Sequence, residues 1–295
     1  MMKCSIGVIV YNEEANIAKL LTALQKQELK QVVIDEIFVV SSACKDKTDE
    51  IVSTFAASDK RITLISEPKR RGKSAAINLF LSAANNPYLI IESGDTIPAK
   101  DTVEKLIVAL AEDKVGMSGG RPLPENEEDD FIGYSVNLLW RLHHQMALIS
   151  PKLGEMIAFR NIVDSIDEKS AVDEASIEAI ITEKGFRKVY IPDAIIHNKG
   201  PENISDFIKQ RRRIEAGHLW LIENNNYQVI SQNKAVLMIL AWKEFYSNPT
   251  RVFYLIGTIG LEIYSRLLGR IDYKYKKKNP YKWDISSSTK KLKYK

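Results

Sequence analysis

The chain places carboxylates and cations where apolar runs end, positions suited to phosphate and metal chemistry. In Tyr88-Leu-Ile-Ile-Glu-Ser-Gly-Asp-Thr-Ile-Pro98, four aromatic or apolar residues run straight into Glu92, Ser93, Gly94 and Asp95. A short apolar run bounded by turn residues reads as a buried strand of a parallel sheet. Ligands of open α/β sheets sit off the carboxyl ends of such strands. An acidic turn there can hold a divalent cation and, through it, a phosphate. On a strand, Glu92 and Ser93 face opposite ways. A second group, Lys69-Arg70-Arg71-Gly72-Lys73-Ser74, is basic and follows another apolar run, where it can meet phosphate. It is not a P-loop, because Glu67 stands where that motif requires glycine. A third, Asp173-Glu174, precedes Ile177, Ile180 and Ile181 at helical spacing. A carboxylate at a helix start is expected to stay ionised, because the helix dipole favours the anion.

The elements that must position these residues alternate. Strands are expected at Cys4 to Val10, Glu36 to Val40, Arg61 to Ser66 and Tyr88 to Ile91. Between them, Ile17, Leu20, Leu21 and Leu24 mark one helix, with Asn12 as its N-cap and Glu13 and Glu14 in its first turn. Ile51, Val52 and Phe55 mark a second helix, and Ala75 to Ala84 a third. The alternation predicts an α/β fold, a mostly parallel sheet with helices on both faces. Farther on come a helix over 101–112, an acidic loop at Glu125 to Asp130, and a helix over Phe131 to Ile149 carrying His143 and His144 as ordinary interface histidines. Lys188 to His197 reads as a strand pair.

Composition sets bounds. With 45% hydrophobic and 27% charged residues, the 295-residue chain is ordinary for a globular protein with a sizeable core. A net charge of +4 is too small to argue for nucleic acid, and none is expected as a partner. Cys4 and Cys44 lack metal-ligand spacing and fit a reducing compartment. The apolar run Ile6 to Val10 is too short for a signal peptide.

The order of motifs resembles the family 2 glycosyltransferases of GT-A fold. The pieces are Ile6-Gly-Val-Ile-Val-Tyr-Asn-Glu-Glu14, Val40-Ser-Ser-Ala-Cys-Lys-Asp-Lys-Thr48, Lys69-Arg-Arg-Gly-Lys-Ser-Ala-Ala-Ile-Asn78 and Glu92-Ser-Gly-Asp-Thr-Ile-Pro98. The resemblance implies that Val10, Tyr11, Asn12, Glu14 and Ser41 hold the nucleotide. Lys73, Ser93 and Gly94 would lie near its base and phosphates, and Asp95 would reach Mg²⁺ or Mn²⁺, with His197 completing the shell. Gly154 to Arg160 would line the donor-sugar pocket. Glu174, with Asp173 as second choice, would be the general base that deprotonates an acceptor hydroxyl. Arg213 matches the arginine of the family's Gln-x-x-Arg-Trp motif, and His218, one turn on, is a reserve ligand.

Three departures stand out. Ser41-Ser42 replace an aspartate that meets the base, Ser93-Gly94-Asp95 replaces Asp-x-Asp, and Ile214 replaces the tryptophan tied to processive synthesis. The resemblance thus implies an inverting, non-processive enzyme using a nucleotide-diphosphate sugar, UDP- favoured over GDP-, and a lipid-linked or glycan acceptor. The alternative it leaves is a catalytically weak relative that binds nucleotide sugar or membrane in glycan assembly.

The C-terminal part reads differently. Arg251, Thr258, Glu262, Ser265 and Arg266 fall in one narrow stripe of a helix whose remaining surface is apolar. Such a helix can lie in a membrane interface, be buried in the domain or a dimer, or just span a bilayer core. The lysine-rich end, nine lysines against Asp284 from Lys274 to Lys295, together with Tyr281 and Trp283, favours the membrane surface. The expected divisions are 1–230 for the transferase domain, 231–270 for amphipathic membrane-interface helices and 271–295 for a basic tail. The expected location is the cytoplasmic face of the membrane, with a homo-oligomer possible.

Overall fold

The computed structural model describes residues 1–170, 172–225, 234–275, 289 and 292. Most of the basic tail, including Lys276 to Lys278, Tyr281 and Trp283, lies outside the described residues, as does the expected division at residue 230.

Among the described residues, eight strands form one sheet in the order β3-β2-β1-β4-β7-β6-β8-β5. They are β1 (Met2–Val10), β2 (Val32–Ser41), β3 (Ile62–Ser66), β4 (Tyr88–Ser93), β5 (Thr96–Pro98), β6 (Val115–Pro124), β7 (Ile157–Arg160) and β8 (Arg187–Asn198). The first four strands pair in parallel, as expected. The other half is mixed. β7 runs antiparallel to both β4 and β6, β8 runs parallel to β6, and β5 caps the edge antiparallel to β8. A buried apolar run signals a strand and not its direction, so the reversal at β7 could not be read from the pattern. β8 is one strand, not a pair. Its register against β6 jumps between Gly119/Tyr190 and Arg121/Ile195. Pro192, which has no N–H to give, falls in that interval.

Alternation on the central strands builds two cores. Ile6, Val8 and Val10 face α1 (Ile17–Gln25), α2 (Thr48–Ser58) and α4 (Thr102–Val108), while Ile9, Leu89 and Ile91 face α3 (Lys73–Ala83) and α6 (Asp173–Glu183). α1 starts later than expected. Asn12 is not its N-cap but stands at φ 53, in the left-handed region that Asn tolerates. Its side chain accepts from Lys45 N at 2.8 Å, and its own N–H donates to Cys44 Sγ at 3.2 Å. Those bonds join the β1 turn to the β2 turn.

Four helices form a separate layer: α5 (Phe131–Ile149), α7 (Ile204–Asn225), α8 (Lys234–Ser247) and α9 (Val252–Lys274). α5 starts at a true cap, with Asp130 Oδ1 accepting from Gly133 N at 2.7 Å. α9 packs its polar stripe inward. Thr258, Ser265 and Asp272 are buried, while Phe253, Ile256 and Ile263 are 83%, 61% and 55% exposed.

Candidate active site

The carboxyl ends of β1, β2 and β4 open on a cavity of about 960 Å³, closed by the starts of α3 and α6 and by the four-helix layer. β4 ends at Ser93, and Gly94 turns the chain so closely under β1 that a Cβ there would sit 2.7 Å from Val10 Cγ1. Asp95 is thereby presented to the cavity beside Tyr11 and Glu13. Gly72, at φ 123, sets the start of α3 and delivers Lys73.

Lys73 is the hub of the site. Its Nζ lies 2.8 Å from Asp173 Oδ2 and 3.0 Å from Glu174 Oε1. Burial alone would lower its pKa, but the two carboxylates outweigh burial and hold it raised. Asp173 and Glu174 occupy the first turn of α6, the helix start the spacing indicated. Glu174 departs from expectation in one respect. Its pKa is raised, first by burial and then by Asp173, with Lys73 opposing. Desolvation and a like charge exceed what the helix dipole returns, so Glu174 is a stronger base than a solvated glutamate.

Two further carboxylates converge on Asp95. Glu92 is fully buried, takes a short hydrogen bond from Thr96 Oγ1, and has its pKa pushed up to about 8 by burial. Glu155 is raised to about 7 by burial and by Asp95 and Glu174. It sits at φ 61, and its Oε1 accepts from Asn198 Nδ2 at 3.1 Å. A left-handed non-glycine residue beside a reactive cluster is held there by its surroundings.

Of the residues singled out from sequence, Val10, Tyr11, Lys73, Ser93, Gly94, Asp95, Asp173, Glu174, Arg213 and His218 line the cavity. Asn12, Glu14, Ser41 and His197 do not. Glu14 is spent on the neighbouring loop, accepting from Lys47 N at 3.1 Å. Ser41 is the buried last residue of β2, and Ser42 lines the cavity instead, its Oγ donating to Glu67 Oε2 at 2.8 Å. His197 alternates with Asn198 on β8, so the side chain that reaches Glu155 is Asn198. Among the three arginines of α7, Arg211 is bound by Glu262 at 2.7 and 2.6 Å and Arg212 pairs with Asp272. Arg213 has no ion pair among the described residues and borders the cavity. Sequence reasoning missed Glu155, Ser42, His143 and Lys152 as cavity residues. Only Glu155 carried a signal, through its place in the segment expected to line the sugar pocket.

A divalent ion fits this donor set in a particular way. Asp173 and Glu174 are answered by Lys73, while Asp95 lines the same cavity beside Glu155, whose raised pKa reflects crowding by Asp95 and Glu174 that a cation would relieve. Yet among the described residues no group of three His, Cys, Asp or Glu side chains could hold a metal ion unaided. The ion would take Asp95 and complete its shell with substrate phosphate and water, as Mg²⁺ often does.

Comparison with known proteins identifies the family and the fold. The model of glycosyl transferase family 2 matches residues 5–175. An N-acetylglucosaminyltransferase of Rhizobium leguminosarum bv. viciae is 23% identical over 234 residues, 71% of this chain and 54% of its own length. The chain spans about half the length of the curated relatives it matches. Among solved structures, the mannosyltransferase PcManGT from Pyrobaculum calidifontis, in complex with GDP-Man and Mn²⁺, is similar at TM-score 0.66 and 19% identity. The match covers 93% of this chain and 88% of that one. Glucosyl-3-phosphoglycerate synthase from Mycobacterium tuberculosis, in complex with Mg²⁺ and UDP, is similar at TM-score 0.53 and 16% identity, over 78% of this chain and 81% of that one. At these identities the structures speak for a shared fold, and the family match covers more than half of the sequence. The chain belongs to glycosyl transferase family 2.

Proposed function

We propose that the protein is an inverting glycosyltransferase moving a sugar from a nucleotide-diphosphate sugar to an acceptor hydroxyl. The observation that carries this reading is the Asp173–Lys73–Glu174 cluster, set in the same cavity as the Asp95 turn. Tyr11 and Arg70, with the guanidinium 4.1 Å from the ring centroid, form the nucleotide wall. Arg213 and the Asp95 turn flank the diphosphate. Mg²⁺ or Mn²⁺ held by Asp95 would offset the charge that builds on the leaving diphosphate. Glu174 takes the acceptor proton, and its raised pKa makes it a stronger base than a solvated glutamate. Lys73 holds Glu174 in place and keeps enough of it ionised to act. Inversion needs one displacement and one base, so Asp173 serves to position Lys73.

The test is sugar transfer, or slow donor hydrolysis, with UDP- and GDP-sugars and Mn²⁺. Unchanged rates in Asp95→Asn and in the double Asp173→Asn, Glu174→Gln variant would overturn the mechanism. Ser93, lining the cavity where the family pattern has a carboxylate, favours a second reading. In that reading the chain binds nucleotide sugar without turning it over, and calorimetry with binding but no turnover would select it.

The helical layer supports peripheral attachment to a membrane. On α8, Met238, Ile239, Trp242 and Tyr246 are 63–71% exposed, while Glu244 is buried against Arg141 at 2.9 Å. α9 repeats that inversion and is by length and composition apolar enough to cross a membrane. Polar-inside, apolar-outside helices are wrong for water and right for lipid. Flotation of the full chain with anionic vesicles tests the attachment, and a chain that stays in the dense fraction would exclude it.

A further inference from the structure

The cavity has a second end that the proposed transfer does not use. There, α5, α7, α9 and the segment before β7 bring cations together with too few partners. Arg211 and Arg266 share Glu262, and Arg266 and Arg270 share Glu215, so three arginines meet two carboxylates. Lys152 adds a charge with no ion pair or hydrogen bond among the described residues. His143 is 7% exposed, lines the same cavity, and its buried Nδ1 has no hydrogen-bond partner among the described residues. Leaving such groups uncompensated in a buried wall is costly, and an anion seated among them removes the cost. Burial, Arg211 and Arg266 push the Lys152 ammonium down to about 8, which fits a cation that lacks its counter-ion.

This end also opens toward the apolar surface. Met238, Ile259, Ile263 and Leu267 line the cavity and are at the same time 41–71% exposed on the outer faces of α8 and α9. A ligand filling both parts is anionic at its head and apolar along a chain that leaves between those helices. A soluble phosphorylated compound would use the cations and leave the outlet empty.

We propose that this end of the cavity binds the phosphate of an acceptor carried on a long-chain lipid phosphate, with Lys152 and His143 on the phosphate and the chain passing Ile259 and Ile263. The inference rests on the transfer reading for calling this ligand the acceptor. Its binding is measurable without any donor.

The experiment titrates the full chain, in detergent micelles, with a long-chain prenyl phosphate, the matching prenyl alcohol and a short water-soluble alkyl phosphate. The long-chain phosphate is expected to bind at least about tenfold more tightly than either control, because only it engages a charge-assisted site and the apolar outlet together. Lys152→Met should abolish the preference for phosphate over alcohol, and Lys152→Arg should keep it, with melting curves confirming that both variants fold. Ile263→Glu should weaken the long-chain phosphate and spare the short one. Equal binding of phosphate and alcohol, or a preference that survives Lys152→Met, overturns the proposal. Short phosphate binding as tightly as the long-chain compound overturns its lipid part. Lipid-phosphate discrimination without any response to nucleotide sugars would support this site and overturn the transfer reading.

Discussion

The sheet half and the helical layer of this protein obey opposite burial rules. Around the sheet, Ile6, Val8, Leu20, Ile77 and Phe80 are fully buried, the arrangement water enforces. In α9 the buried positions are Leu255, Thr258, Ser265, Gly269 and Asp272, and, Leu255 apart, large apolar side chains such as Phe253, Ile256, Ile259, Ile263 and Leu267 point out. On the proposed reading, the sheet half is built for water and the outer face of the helical layer for lipid. The cavity lies where they meet, with Asp95 and Glu174 on the sheet side and Ile259 and Met238 on the helical side. On that reading a nucleotide sugar would enter from the first side and a lipid-borne acceptor from the second.

Removing chemistry from the sheet half should leave the helical half intact. Glu174→Gln is expected to lower transfer by roughly 10²- to 10⁴-fold, the usual contribution of a positioned base. Vesicle flotation should not change. In the parent enzyme, the rate should fall as pH drops through the raised pKa of Glu174, since protonation removes the base. That acid limb should disappear from the residual activity of Glu174→Gln. A variant that keeps both rate and acid limb would break the assignment.

The converse change is Phe253→Glu with Ile256→Glu, on the outward face of α9 and away from the cavity lining. Vesicle binding should fall by about tenfold or more, because each charge must be drawn out of lipid. Exposed positions contribute little to folding, so the melting temperature in detergent should hold within a few degrees. A large loss of stability would mean that this face is covered by protein, as in a dimer.

The inward stripe of α9 should behave in the opposite way. Glu262 accepts from Arg211 at 2.7 and 2.6 Å and from Arg266 at 2.8 Å, and its pKa is about 2, where burial is outweighed by Arg211 and then Arg266. Glu262→Ala leaves two largely buried guanidiniums facing each other. A destabilisation on the order of 2–4 kcal/mol is expected, read as a lower denaturation midpoint of the full chain. A neutral outcome would show that the ion network does not hold α9 in place.

Much of this was legible in the sequence, and the residues that were not share a physical reason. β1, β2 and β4 announce themselves because each is an apolar run stopped by turn residues. Asp173 and Glu174 are legible as a helix start because acids precede Ile177, Ile180 and Ile181. The polar stripe of α9 was visible too, but its inward direction depends on α7, which supplies Arg211, Arg212 and Glu215. At Ser41 and His197 the structure sets the next residue on the cavity instead. β2 runs through Ser41, so Ser42 is the first residue free to turn toward the cavity. On β8, alternation gives the site to Asn198. Asn12 could not be foreseen, since its left-handed backbone is fixed by bonds to a loop 32 and 33 residues away. Lys152 is defined by what surrounds it in space, and no local pattern carries that.

The smallest effect concerns Glu92, which lies under the site on the sheet side, close to Asp95. Its folded pKa is about 8 against an ordinary 4.5. Between those values the unfolded chain has released the proton and the folded chain has kept it. Stability from this group is therefore complete below about pH 4.5 and is lost as pH rises through about 8. Glu92→Gln keeps the shape and removes the titration. The variant should melt at a temperature that varies less over this window, and above pH 8 it should melt a few degrees higher than the parent, a shift on the scale of about 1–2 kcal/mol for a chain of this size. Mn²⁺ or a nucleotide sugar would change the field at Asp95, but the comparison needs neither, so it reads the sheet half alone. If parent and variant lose stability in parallel as pH rises, the proton on Glu92 is not what the fold retains, and the buried carboxylate is ionised and balanced by Lys73.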